Sequence, residues 1–132
     1  CKSVIPIMIQ KMDGLIINVS SWSGNHVSLL PGVSYTSSKH ALNAMTETIN
    51  MKYCNYGIRA CALCPGEVAT AILDKRPKKL TIEQKNKMLQ PDDLGETISF
   101  LCQMPKHVCI NELTISPTWH RRYIADLGIE KL

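Results

Sequence analysis

Aromatic residues are scarce: one Phe, two Trp and four Tyr make up 5% of 132 residues. Any interior must therefore be aliphatic, and a hydrophobic content of 45% supplies one. Long apolar runs are missing. The stretch from Val4 to Ile9 is too short to span a bilayer. No basic lead with an apolar centre and a cleavage site forms a signal peptide, and the chain begins at Cys1 rather than at Met. Strong charge of one sign is absent, and a net charge of +4 is too mild to imply a nucleic-acid partner. Glycine is thinly spread. Gly14, Gly24, Gly32, Gly57, Gly66, Gly95 and Gly128 stand apart, so these residues contain no glycine-rich phosphate-binding turn. Cys61 and Cys64 have CxxC spacing, but no second such pair and no nearby His pair supports zinc. In a strand they point to opposite faces, which favours buried structural thiols. The six cysteines fall inside expected strands and helices, so the expected state is reduced and the expected location cytoplasmic.

What is present is alternation. Ile5, Met8, Ile9 and Met12 recur at helical steps over residues 1–13, with Pro6 as a kink and Asp13-Gly14 as the stop. A helix met without its N-cap is expected to continue a chain that starts further upstream. Leu15 to Ser20 reads as a buried parallel strand, and Ser21 to Gly32 as a loop. Val33 to about Tyr56 reads as a long helix, with Tyr35, Leu42, Met45, Ile49 and Tyr53 on its apolar face. Ile58 to Cys64 is a second strand, ended by Pro65-Gly66. A short helix is expected near Thr81 to Leu89, another from Pro91 to Gln103, and a third strand from Val108 to Ser116. Residues 117–132 show no period and are expected to form a tail. This order gives an α/β fold with a parallel sheet of about three strands and flanking helices over residues 1–116. The first strand has the apolar character of a central strand, yet in these residues one of its edges has no partner.

Three motifs occur in this order. Ser21-Trp-Ser-Gly24 follows the first strand. Tyr35 and Lys39 stand four apart, one turn above the other on one helix face. Pro65-Gly-Glu-Val-Ala-Thr70 ends the second strand. Together, SSxxG, YxxxK and PGxVxT resemble the catalytic half of a short-chain dehydrogenase/reductase. The resemblance covers residues 1–116 and implies the C-terminal half of a Rossmann-like, doubly wound parallel sheet. By that resemblance the glycine-rich turn, the residue that selects NAD or NADP, and a catalytic asparagine lie ahead of Cys1.

The resemblance also assigns roles. Tyr35 is the acid/base in hydride transfer between NAD or NADP and an alcohol or a carbonyl compound. A free phenol titrates near ~10, too high for a base at neutral pH, and a neighbouring cation such as Lys39 favours the phenolate. Lys39 also bonds the nicotinamide ribose, and Ser21 holds the substrate oxygen. Ser21, rather than Ser20, precedes the glycine by three. Tyr35, Lys39, Pro65, Gly66, Val68 and Thr70 form the cofactor-binding set, and no metal is expected. The helices at residues 1–12 and 33–56 match those that join subunits in family members, so the full-length protein is expected to be a homodimer or homotetramer.

Plainer readings stand beside these. Tyr35 and Lys39 can be a packed ring and a solvated cation, Ser21 a turn cap, and Thr70 an N-cap. Trp22, His26, Leu29 and Leu30 form either a pocket wall or loop packing. Lys75 to Lys79 is a solvated basic loop or part of a lid. Trp119 to Tyr123 is surface or a subunit contact. The rival to an enzyme is a non-catalytic truncated piece that only pairs with other subunits.

Overall fold

The computed structural model describes residues 1–27, 29–75 and 79–126. Arg76 to Lys78 of the basic run, and Gly128, lie outside these described residues.

Three parallel strands form one sheet in the order β1-β2-β3. They are β1 Gly14–Val19, β2 Ile58–Pro65 and β3 Glu112–Ile115. Gly14 pairs with Ile58 and Val19 with Leu63. On the other side of β2, Ala62 pairs with Glu112 and Pro65 with Ile115. β2 is therefore central, and every one of its residues except Arg59 is buried. This is the near-continuous apolar run that a parallel strand covered on both faces requires. Burying a side chain such as Leu63 or Ile58 stabilises the fold by about 1.5–3 kcal/mol. β1 is an edge strand among the described residues. Its residues are only part-buried, and Val19 is 50% exposed.

α1 (Ile5–Lys11) starts with Pro6 in its first turn. There the missing N–H has no helical partner to lose, so the expected kink does not arise. Ile5 packs with Ile49, Ile58 and Ala60 as the buried core, flanked by Met8, Ile9, Ile16, Tyr53 and Tyr56. α2 (Val33–Tyr53) crosses over from β1 to β2. It ends three residues before Tyr56, in a 3₁₀ turn of Cys54–Tyr56 closed by Gly57 at φ +69°. A Cβ there would meet the Met12 carbonyl oxygen at 2.5 Å, so glycine is required on two counts. The inward face of α2 is more polar than the expected stripe. Thr36, Thr46 and Ile49 are buried, whereas Tyr35 and Met45 are exposed. Asn50 shows why: its amide donates to the Ala60 carbonyl at 2.7 Å and accepts the Ala60 N–H at 2.6 Å. Asn18 likewise donates to Thr46 at 2.9 Å.

α3 (Ile82–Asn86) opens on a Thr81–Gln84 capping box. α4 (Pro91–Gln103) has Pro91 at its start, and the Asp93 carboxylate accepts from the Gln90 N–H at 2.7 Å. β3 begins four residues later than expected. Arg59 donates to the carbonyls of Met104, Pro105 and Val108, which holds that stretch outside the ladder. The expected tail contains a helix, α5 (Arg121–Asp126). No helix among the described residues is long and apolar enough to cross a membrane.

Candidate active site

The parallel strands bring their C-terminal ends to one edge of the sheet, where open α/β sheets bind ligands. β1 delivers Ser20 and Ser21 there, and β2 delivers Pro65 to Thr70. α2 returns to the same edge with Tyr35 and Lys39 in its first two turns.

The two serines diverge as strand alternation requires. Ser20 is 4% exposed, and its Oγ donates to the Lys39 carbonyl at 3.3 Å. Ser21 is half-buried and caps a 3₁₀ turn of Trp22–Gly24, its Oγ accepting the Ser23 N–H at 3.2 Å. A hydroxyl has one donor and two acceptor positions, so this cap leaves the Ser21 O–H proton for another partner. Gly24 is required for close approach: a Cβ would lie 2.7 Å from both Asn43 Nδ2 and Ser20 Oγ. Asn25, next in the turn, donates to Glu112 at 2.7 Å and to Thr114 at 3.3 Å, and accepts from Asn43 at 2.6 Å. These bonds anchor the loop after Ser21 to β3 and α2.

Tyr35 is 44% exposed in the first turn of α2. The Lys39 ammonium lies 5.7 Å from the centre of its ring and donates to the Val19 carbonyl at 3.1 Å. An ammonium carries three donors, so Val19 occupies only one of them. Tyr35 and Lys39 are thus brought together, and Lys39 is brought to the end of β1. The Ser21 hydroxyl is engaged with its own turn.

At the end of β2 the Gly66 N–H donates to the Ile115 carbonyl at 2.7 Å. Val68 forms an isolated parallel bridge with Leu89. The Ala69 N–H donates to Leu89 at 2.8 Å, and the Leu89 N–H donates to Glu67 at 3.1 Å. In that register Leu89 is bonded by the neighbours of Val68, so the Val68 amide faces away from it. Thr70 is exposed, and its carbonyl accepts from Leu73 at the head of a 3₁₀ turn, Ala71–Lys75. The expected cofactor set therefore lies in two groups at the same sheet edge: Pro65, Gly66, Val68 and Thr70 after β2, Tyr35 and Lys39 on α2.

Two features escaped the sequence. Arg121 pairs with Glu67 inside the third motif, Nε to Oε2 at 2.6 Å with the second bond to Oε1. This pair raises the Arg121 pKa, burial opposing it. His120 is 6% exposed and stacks near Trp22, centre to centre at 4.6 Å. Burial pulls the His120 pKa down, with Glu67 opposing and Arg122, His26 and Arg121 adding to the depression. Of segment 119–123, expected to be surface or a subunit contact, Arg122 and Tyr123 are exposed, while His120 and Arg121 pack against the site loops of their own chain. Among the described residues, no cluster of three or more His, Cys, Asp or Glu could hold a metal. A surface concavity of about 520 Å³ along the Asp92–Gln103 face of α4 contains none of the motif residues.

The fold, with SSxxG, YxxxK and PGxVxT at one sheet edge, defines a class, and comparison with known proteins agrees. A family model described as short chain dehydrogenase matches residues 1–81. The chain belongs to that family. It is 29% identical over 116 residues to an uncharacterized oxidoreductase of Staphylococcus aureus strain MRSA252, covering 88% of this chain and 48% of the relative. An uncharacterized oxidoreductase of Staphylococcus saprophyticus is 31% identical over 115 residues, 87% of this chain and 47% of that one. Among solved structures, a β-ketoacyl-[ACP] reductase from Bacteroides thetaiotaomicron superposes with a TM-score of 0.73 at 32% identity, covering 93% of this chain and 49% of that chain. An alcohol dehydrogenase from Thermococcus sibiricus, complexed with 5-hydroxy-NADP, also gives 0.73, at 26% identity over 91% of this chain and 48% of its own. The chain spans about half the length of the relatives it matches.

Proposed function

We propose that this chain carries the catalytic half of an NAD- or NADP-dependent oxidoreductase that interconverts an alcohol with a ketone or aldehyde. The observation that carries this reading is the Tyr35–Lys39–Val19 arrangement at the C-terminal end of β1. The alcohol dehydrogenase and reductase among its structural neighbours support it.

The residues fit the nicotinamide end of such a cofactor. Lys39 has donors beyond the one used by Val19, which suits a ribose diol, and the Val68 amide is turned away from its bridge partner. The pyrophosphate end would need a glycine-rich turn, which these 132 residues do not contain. When bound, the nicotinamide accepts or supplies the hydride. Tyr35 takes the alcohol proton at its Oη during oxidation and returns it during reduction. Ser21 donates its free O–H to the substrate oxygen. Lys39 keeps a positive charge on the ring face of Tyr35. Alone, the 132 residues are expected to turn nothing over.

The test is turnover by the complete reading frame that contains these residues. NAD(P)H absorbance is followed against a panel of small alcohols and carbonyl compounds, with Tyr35→Phe alongside. Turnover lost in Tyr35→Phe, with cofactor affinity kept, is the expected result. Full activity in Tyr35→Phe would remove the assignment.

A second reading is favoured by exposed apolar side chains on the two helices. Ile7 on α1 and Met45 and Met51 on α2 lie in solvent in the isolated chain. They support pairing of subunits into a homodimer or homotetramer, which is the whole role left to the chain if no cofactor-binding half accompanies it. Sedimentation of the 132-residue chain as a concentration-independent monomer would remove this reading. Cys1, Cys54, Cys102 and Cys109 are exposed free thiols, which supports a reducing, cytoplasmic compartment.

A further inference from the structure

Residues 119–123 touch both loops on which the proposed site depends. His120 lies 4.6 Å from Trp22, the neighbour of Ser21, and Tyr123 meets the same ring edge-on at 5.8 Å. His120 and Tyr123 are 4.5 Å apart, and His26 stacks on Trp22 at 4.2 Å. The adjoining Arg121 grips Glu67 of the PGEVAT motif with two bonds. Trp119 carries the Lys87 ammonium at 5.1 Å, just beyond α3.

We propose that Trp119–Tyr123 is a brace that fixes the Ser21 loop relative to the end of β2, with His120 and Arg121 as positioning residues for Ser21 and for Val68 and Thr70. This rests on the oxidoreductase reading above. Three physical points support it. A two-point Arg–carboxylate pair fixes orientation as well as distance, and both partners here are well covered, at 31% and 22% side-chain exposure. Aromatic rings have few rotatable bonds, so a packed cluster holds its members' positions. Among the described residues, the indole Nε1 of Trp22 and Nδ1 of His120 are buried without hydrogen-bond partners, so ring packing holds these two rings. His26 Nδ1 also donates a hydrogen bond to the Trp22 carbonyl at 3.2 Å, which ties the turn beneath the ring cluster. Because His120 and Arg121 are consecutive, the loop and the strand end cannot separate unless one of the two contacts breaks.

Trp22 reports on the brace directly. In the 132-residue chain with Trp119→Phe it is the sole indole. Adding Arg121→Lys keeps the charge but loses the two-point geometry. Acrylamide quenching of Trp22 is expected to rise about twofold, the mark of a locally opened contact. The exchange of Glu67→Arg with Arg121→Glu is expected to bring it back. Unchanged quenching in a folded Arg121→Lys protein overturns the brace. If that variant does not fold, Glu67→Gln carries the same measurement, and unchanged quenching overturns the brace equally. In the complete reading frame, Arg121→Lys is expected to lower kcat by about tenfold with little change in KM, as a misplaced catalytic group does. Altered quenching with unaltered kcat overturns the positioning role. Altered quenching in a protein without NAD(P)-dependent turnover leaves the brace standing and removes the oxidoreductase reading instead.

Discussion

The Lys39 ammonium bridges Val19 and Tyr35, donating to the Val19 carbonyl at 3.1 Å and lying 5.7 Å from the centre of the Tyr35 ring. Helical spacing puts the lysine one turn beyond the tyrosine, and the strand end supplies the oxygen that orients it. The ammonium is thereby held between a backbone carbonyl and the face of the phenol ring.

Replacing Lys39 should therefore separate stability from activity. An exposed cation–π contact and one hydrogen bond together contribute about 1–2 kcal/mol. Lys39→Met is expected to cost no more than this in a urea titration of the 132-residue chain. In the complete reading frame the same change is expected to abolish turnover. A much larger loss of stability would give Lys39 a structural role instead.

Gly24 carries a sharper structural demand. Its missing Cβ leaves room for Asn43 and Ser20, each of which would otherwise lie 2.7 Å away. Asn43 is itself tied to Asn25 and Cys64, so it cannot swing clear without losing those bonds. Gly24→Ala is expected to destabilise the chain by about 1–3 kcal/mol through overpacking. An unchanged urea midpoint would mean that the turn relaxes freely.

The cysteines divide into two groups. Cys61 and Cys64 are buried in β2, and desolvation pushes the Cys61 thiol up to about 11, with smaller contributions from Cys109, Cys64 and Glu112. Since the thiolate is the reactive form, both are doubly protected. Titration with a chromogenic disulfide in native buffer is expected to label the four exposed cysteines rapidly and the other two only after unfolding. Six rapid thiols would contradict the buried central strand.

The parts of this fold that were legible in the sequence are those governed by local periodicity. β2 reads as a continuous apolar run, and α4 has its starting proline and a repeating apolar face. The three motifs were legible because each lies in one short stretch. What escaped depends on distant partners. The inward face of α2 is partly amide and hydroxyl, because Asn50 and Thr46 satisfy groups on the neighbouring strands, and a count of apolar residues cannot see that. The start of β3 was hidden because Arg59, some 50 residues earlier, claims the carbonyls ahead of it. The Glu67–Arg121 pair joins residues 54 apart and has no local signature. The role of segment 119–123 was invisible for the same reason, although its aromatic and basic composition marked it out.

His120 gives this segment a pH signature of definite sign. Its pKa is pulled below the ordinary 6.5, first by burial, with Glu67 opposing and Arg122, His26 and Arg121 adding to the depression. Above 6.5 the ring is neutral in both folded and unfolded chains, and its packing against Trp22 contributes fully. As pH falls through that value, the unfolded chain takes up a proton that the folded chain refuses. The unfolded state then binds more protons, so stability falls as pH falls, until the folded-state pKa is passed. The carboxyls of Asp13 and Asp74, held low by Lys106 and Lys85, add their own loss only at more acidic pH. Urea midpoints measured between about pH 7.5 and about pH 5 stay above the range in which those carboxyls act, and comparison with a chain lacking the His120 ring separates its share from that of the other three histidines. The parent chain is expected to weaken across this range. His120→Asn, which cannot titrate, is expected to be less stable at the upper end and to show a flatter profile. Equal slopes for the two chains would mean that His120 is as open to protons when folded as when unfolded, and that the ring cluster does not enclose it.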